Sequence, residues 1–257
     1  MTDRPSVASA PDDWARPLAI GVIGAALMFA VGIRQKPLAA EIPRPSEATC
    51  VLPLAAARGP IELHVPRASS PPKIDGELDE PEWTRAPART GGFITAEGAA
   101  ARPFSEARVL WDENNLYVAL FAADEDVQVA KVEHDGPVWT ADSFGLVLTQ
   151  SDGVTRTIDV GPSGTLTDGI SKAGQPVDYT WQSNAQVATD IDGTRDDTSD
   201  RDEEWVVEMA IPLASLGLKG SAGERLGISV KRCDQVDGKR LCGFFGGSSA
   251  PATLVLD

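Results

Sequence analysis

The groups in this chain that could do chemistry are mostly carboxylates. Asp and Glu number 38 against 23 Lys and Arg, a formal charge of −15 over 257 residues. Paired acids can serve as general acid and base, but their separation across a fold is not written in a sequence. The motifs that would single out one reaction are missing. There is no G-x-S-x-G, no Walker loop and no dinucleotide fingerprint. His64 and His134 stand apart and make no zinc spacing. Asp190-x-Asp192-Gly193 begins like a calcium loop, but no Glu stands at the closing position. Residues 190–204 therefore read as a solvated acidic loop, with a looser calcium site as the alternative. An enzyme is not expected and no other cofactor is implied. So acidic a chain also lacks the basic footprint that nucleic acid or an anionic lipid surface requires.

Two stretches have spacing that speaks of structure. Residues 71–83, PPKIDGELDEPEW, hold five acids, three prolines, a Gly and a Trp. An acid/base site, a metal loop and a piece of framework all have to be weighed for it. Residues 233–242 read CDQVDGKRLC. Asp237-Gly238 is a favoured two-residue hairpin turn. Pairing outward from it sets Cys233 opposite Cys242 at a non-hydrogen-bonded position, where Cα atoms approach to about 4.5 Å. That is within disulfide reach, and a disulfide implies an oxidising compartment. The alternative is a pair of reduced core cysteines. Cys50 is left odd and free.

The elements that must position such groups are short. Leu18 to Ile33 is an uncharged apolar run spanning about 24 Å as a helix. It reads as one N-terminal transmembrane or signal-anchor helix after a tail of residues 1–17. No good cleavage site follows, which favours a retained anchor. Residues 34–60 are a Pro/Ala-rich tether. From residue 61 to 257 the texture is that of short strands between turn signals. Candidates are 61–65, 107–112, 116–123, 143–149, 155–160, 181–189, 204–211, 227–233, 241–245 and 253–256. Helix is hinted at only in 79–83 and 213–216. The expectation is an all-β, antiparallel, jelly-roll-like β-sandwich, with its body outside the cytoplasm in the cell envelope.

Four segments in order resemble family 9 carbohydrate-binding modules and their DOMON-like relatives. They are Pro72–Glu80 with Trp83, Ala107–Asp112 running into Asn115–Ala119, Trp139–Phe144, and Glu204–Pro212. The resemblance implies a single antiparallel sandwich and a non-catalytic sugar-binding function. It also decides the opening stretch in favour of framework: Asp75-Gly76 turns the chain, Asp79 caps a short helix with Pro81 near its start, and Trp83 is buried. Trp111 and Trp205 are expected in the core.

Sugars are bound by ring faces stacked on C–H surfaces and by polar groups that address hydroxyls. The family places one aromatic just before the Asp-Ser strand, where Trp139 stands, and another near the last hairpin, where Phe244 and Phe245 lie. Arg156 and Arg232 are candidate hydroxyl donors and Trp181 a further exposed ring. Gly145 stands where the family commonly has a Glu, which weakens the expected sugar affinity. The implied partner is a glycan or oligosaccharide, with a separate glycoside hydrolase that the module would assist in polysaccharide breakdown. Two other readings stay open. One is a scaffold that lost its ligand. The other is a haem domain of the DOMON kind, with Met209 opposed by His134 or Lys231 as axial ligands.

Overall fold

Strand alternation buries every second side chain, and in this chain it does so on two stacked sheets. The computed structural model describes residues 61–85, 87–246 and 251–257. The anchor run, the tether and Cys50 lie outside the described residues. Among those described, no helix is long and apolar enough to cross a membrane.

The strands are β1 (Glu62–Val65), β2 (Ala88–Arg89), β3 (Ser105–Trp111), β4 (Asn115–Ala123), β5 (Ser143–Thr149), β6 (Val154–Val160), β7 (Leu166–Lys172), β8 (Gln186–Asp192), β9 (Glu204–Pro212), β10 (Arg225–Val236), β11 (Lys239–Phe245) and β12 (Ala252–Leu256). A single turn of helix, α1 (Pro81–Arg85), precedes β2. A seven-stranded sheet runs β1-β12-β10-β5-β6-β7, with β11 also paired to β10. A five-stranded sheet runs β2-β3-β4-β9-β8. Leu116, Val118, Leu120, Phe144, Leu146, Ile158, Trp205, Val207 and Met209 meet between them in one core. Trp111 and Trp205 are buried there as expected.

The sandwich is not antiparallel throughout. β1 pairs parallel with β12, with Leu63 opposite Leu254. The first and last described strands thus close one edge together, an arrangement that local alternation does not encode. Other elements also differ from expectation, the two-residue β2 among them, which was not an expected strand. β7 has no counterpart among the expected strands, because Asp168-Gly169 in its middle imitates a turn. The expected strand 181–189 begins only at Gln186, since Asn184 takes the left-handed conformation (φ 57°) and breaks the extended run. Residues 213–216 form hydrogen-bonded turns, not a helix.

The two outer faces are treated differently. Residues 66–85 are laid across the five-stranded sheet. There Trp83, Leu110, Tyr117, Ala119 and Ala210 form a second core, with Ile74 and Leu78 packed on it. At its centre is Glu208 on β9, fully buried. Its carboxylate accepts from the backbone N–H groups of Asp75 (3.0 Å) and Gly76 (2.8 Å) and from Trp83 Nε1 (2.6 Å). Gly76 sits at φ 99° with the Thr189 backbone 2.6 Å from where a Cβ would stand, so only glycine fits. The acidic opening stretch is therefore framework, and its key acid partner comes from the opposite end of the fold.

Burial raises the pKa of Glu208, while its three donors act to hold it ionised. Glu208→Ala leaves those donors buried without an acceptor and is expected to cost roughly 3 kcal/mol or more in urea denaturation. Glu208→Gln, which keeps one acceptor oxygen, is expected to cost less. A loss below about 1 kcal/mol for the alanine variant would contradict this role.

Candidate functional site

Among the described residues, the outer face of the seven-stranded sheet carries no such cover over β5, β6 and β10. Residues alternate there so that 145, 147 and 149 of β5 share the outer face with 155, 157 and 159 of β6 and with 229 and 231 of β10. Sheet register then sets them in rows. Asp159 stands opposite Gly145, Gly145 opposite Lys231, and Lys231 opposite Phe244. The neighbouring row is Thr157, Val147 and Ser229. Together with Thr149, Thr155, Gly246 and Pro251 these residues line a groove of about 410 Å³. That is within the usual range for a small-ligand site.

Gly145 is the lowest point of the groove. A Cβ there would lie 2.5 Å from Asp159 Oδ1 and 3.2 Å from Lys231 Cε. The two charged side chains lean into the space that a larger residue would fill. Lys231 Nζ and Asp159 Oδ1 are 3.8 Å apart. Burial pushes the Asp159 carboxyl up, and Lys231 and Arg240 pull it back down. A carboxylate therefore does face the groove, one strand away from Gly145. Phe244 closes the row with a half-buried ring, and Val147, 36 % exposed, adds an apolar floor.

The disulfide holds this row in place. Cys233 and Cys242 are bonded, with Cα atoms 4.2 Å apart. Asp237 (φ 50°) and Gly238 (φ 70°) make the turn, and Val236–Lys239 through Cys233–Cys242 pair in the expected register. Cys233–Cys242 lies one same-face row beyond Lys231–Phe244, so the bond fixes β11 to β10 beside the Phe244 ring.

The remaining sequence candidates do not gather here. Phe245 alternates inward and belongs to the core. Arg232 is 3 % exposed between the sheets, where it donates to Asp124 Oδ2 (2.5 Å) and pairs with Asp234 Oδ2 (3.0 Å). It reaches no groove. Arg156 is buried at the inner face, donating to the Ser215 carbonyl and to Gln150 Oε1. Trp181, half-buried, lies 6.0 Å from the Arg156 guanidinium. Neither lines the groove. Trp139 is half-buried in a 3-10 turn, Val138–Thr140, that packs against β5 and β6. Asp159, Thr155, Thr157 and Ser229 carry no sequence signal of a site, and Lys231 stands out there only as a possible haem ligand. Their outward parity was readable from alternation, but which strands lie side by side was not.

The axial pair that a haem would need is separated. Met209 is fully buried in the core, whereas Lys231 faces outward on the other sheet and His134 is exposed. Asp190 and Asp192 lie within β8, so the acidic loop shrinks to residues 193–203. A denser group of acids lies inside the sandwich. Asp124, Asp142 and Asp234 are all buried within 4.8 Å of one another, with Arg232 as their resident cation. Asp142 accepts from the Gln128 and Gln235 N–H groups (2.7 and 2.8 Å). Burial, and then the charge on Asp124, push its pKa to about 8.

The sandwich thus has one face covered by residues 66–85 and, on the other, a largely apolar groove with Asp159, Lys231 and threonine hydroxyls along it and a ring at its end. The sequence matches the family described as Carbohydrate family 9 binding domain-like over residues 74–246. The chain belongs to that family, whose members are non-catalytic binding modules. No curated protein sequence matches the chain. Among solved structures, a candidate carbohydrate-binding protein from Bacteroides uniformis aligns with TM-score 0.62 at 12 % identity, covering 77 % of this chain and 100 % of its own. A family 9 carbohydrate-binding module from Caldicellulosiruptor kristjanssonii in complex with cellotriose aligns with TM-score 0.53 at 18 % identity, over 76 % and 93 %. One from the same organism in complex with glucose gives 0.52 at 16 %, over 76 % and 95 %. At these identities the likeness is one of fold.

The raised pKa of Asp142 makes a stability prediction. The folded chain holds this proton up to about pH 8, whereas the unfolded chain releases it near 3.8. Between those values the folded state binds more protons, so stability falls as pH rises. Tm is expected to drop from pH 5 to pH 8, and Asp142→Asn to flatten that slope even though it removes one acceptor from a backbone N–H. An unchanged slope in calorimetry would show that other groups carry it.

Proposed function

We propose that the chain is a carbohydrate-binding module whose ligand lies in the groove over β5, β6 and β10. The observation that carries this reading is the row Asp159, Gly145, Lys231, Phe244. Phe244 offers a ring to the C–H face of a pyranose, while Asp159 accepts from sugar hydroxyls and Lys231 donates to them. Thr155 and Thr157 add hydroxyls along one side. Gly145 leaves room for a ring to descend between the charged pair. A neutral polyol suits a site holding one acid and one base, and it avoids the repulsion that a net charge of −15 would impose on an anion. Trp139, on the turn against β5 and β6, does not line the groove and takes no part in the proposed contact. The glucose and cellotriose held by the two Caldicellulosiruptor modules make β-linked glucans the first ligands to try.

The module is further proposed to stand outside the cytoplasmic membrane, held by the apolar run 18–33 and working beside a separate hydrolase. The hairpin disulfide supports the oxidising side. The run's length and lack of charge support the anchor.

Calorimetric titration with cellotriose is expected to show binding that Phe244→Ala and Asp159→Asn each weaken about tenfold, the scale of losing one good stacking or charged hydrogen-bond contact. Trp139→Ala, outside the groove, is expected to leave it within about twofold, and Arg232→Lys to act on stability alone. The double variant Cys233→Ser/Cys242→Ser is expected to lose about 2–3 kcal/mol of stability from the short closed loop and to bind more weakly as Phe244 loosens. Binding that survives Phe244→Ala and Asp159→Asn unchanged would move the site off this face. Absence of binding to any oligosaccharide would favour a scaffold.

A further inference from the structure

A second constellation of donor groups stands at the β7 edge of the seven-stranded sheet. β7 is its edge strand. Two loops are tied to it. The Asp135 N–H donates to the Leu166 carbonyl, the Thr167 hydroxyl to the Gly136 carbonyl, and the Ser183 N–H to Asp168 Oδ2 at 2.6 Å. These contacts bring together His134, Asp135 and Asp168, each with a ligand atom within 4.8 Å of the other two. His134 and Asp135 are exposed, whereas Asp168 is 1 % exposed. Its Oδ2 is engaged by Ser183, but its Oδ1 is buried without any hydrogen-bond partner. A buried carboxylate oxygen left so is costly unless something else meets it. The Gln182 amide spans the mouth of the cluster. Its Oε1 is 2.7 Å from His134 Nε2, and its Nε2 donates to Asp135 Oδ2 at 3.0 Å.

We propose that His134, Asp135 and Asp168 form a binding site for a divalent transition-metal ion, with zinc the best match. One imidazole nitrogen and two carboxylate oxygens are a donor set of the zinc class, with a position left for water. Calcium asks for six to eight oxygens, which these side chains do not supply. Zinc bonds of about 2.0–2.2 Å place neighbouring ligand atoms about 3.4 Å apart. His134 Nε2 and Asp135 Oδ2 are already 3.8 Å apart on exposed side chains, and the ion takes the place of the Gln182 amide that now bridges them. The ion supplies the missing partner for Asp168. It also clamps the loop that carries Trp139 onto β7, with Ser183 bringing the 181–185 segment to the same point. None of the three ligands lines the groove, so the site stands independently of the sugar reading.

The test is equilibrium dialysis and calorimetry of the untagged full chain in detergent, with zinc alone and calcium alone. One zinc per chain is expected at this site. Even outer-shell changes cost roughly 10–100-fold in metal affinity, so His134→Ala and Asp168→Asn are each expected to lower zinc affinity at least tenfold. His134→Ala is a surface change and keeps the fold, which matters should Asp168→Asn fail to fold. Zinc binding that His134→Ala leaves untouched assigns the ion to other groups, Cys50 included, and overturns the proposal. So does a wild-type chain that retains no zinc. Calcium bound in preference to zinc overturns the choice of metal class.

Discussion

A single buried carboxylate organises this fold. Glu208 gathers two backbone N–H groups from the Asp75-Gly76 turn and the indole N–H of Trp83, none of which is near it in sequence. A charge with three donors is tolerable in an apolar layer, but a charge with none is not. The interaction therefore works as a latch: the opening segment must lie across β9 for the sheet to be stable. Once it does, the outer face of the five-stranded sheet is closed with Trp83, Leu110 and Tyr117 beneath it. The two faces of the sandwich then have different fates. One is a second core, and the other, among the described residues, is left uncovered over β5, β6 and β10.

That asymmetry explains why the groove lies where it does. A sheet face left open cannot be wholly apolar without inviting association, and the rows over β5, β6 and β10 are accordingly mixed. Thr155, Thr157, Ser229, Asp159 and Lys231 alternate with inward Leu146, Ile158 and Val230 along the same strands. Two neighbours of opposite charge meet over Gly145 because a glycine leaves nothing to hold them apart. The carboxylate of Asp159 reaches into the groove from β6, over the space that Gly145 leaves.

Much of the framework was legible in the sequence because its signals are local. Asp237-Gly238 determines the β10–β11 register, and the register alone places Cys233 opposite Cys242. Alternation locates β5 and most of β6. The fourfold resemblance in order gives the family and the role of the opening stretch. What was not legible depends on partners distant in sequence. β7 carries Asp168 and Gly169 where a strand would show apolar residues, since it is an edge whose polar groups are satisfied by loops 133–137 and 177–183. The parallel pairing of β1 with β12 has no local signature. The site suffered most. Arg232, Arg156 and Phe245 were read as reaching outward, but strand parity turns each of them inward, and the groove is made instead by residues that meet only when β6, β5, β10 and β11 lie side by side.

The inward turn of Arg232 has a consequence for the interior. Asp124, Asp142 and Asp234 are three acids around one guanidinium. If all three were ionised, two negative charges would remain uncompensated in a region that excludes water. Trp205 Nε1 and the backbone donors of Asp126, Gln128 and Gln235 lessen this without cancelling it. The least costly way out is to keep a proton on the acid furthest from the arginine's direct contacts. Asp142 is that acid, since among the described residues Arg232 bonds to Asp124 and Asp234 and not to Asp142. Its position beside Ser143 at the start of β5 fixes the strand that carries Gly145 and Val147. The same neutral carboxyl is hydrogen-bonded to Gln128 and Gln235 and so joins the loop after β4 to the end of β10. The open face thus rests on a polar cluster whose geometry is satisfied most cheaply with one of its acids uncharged.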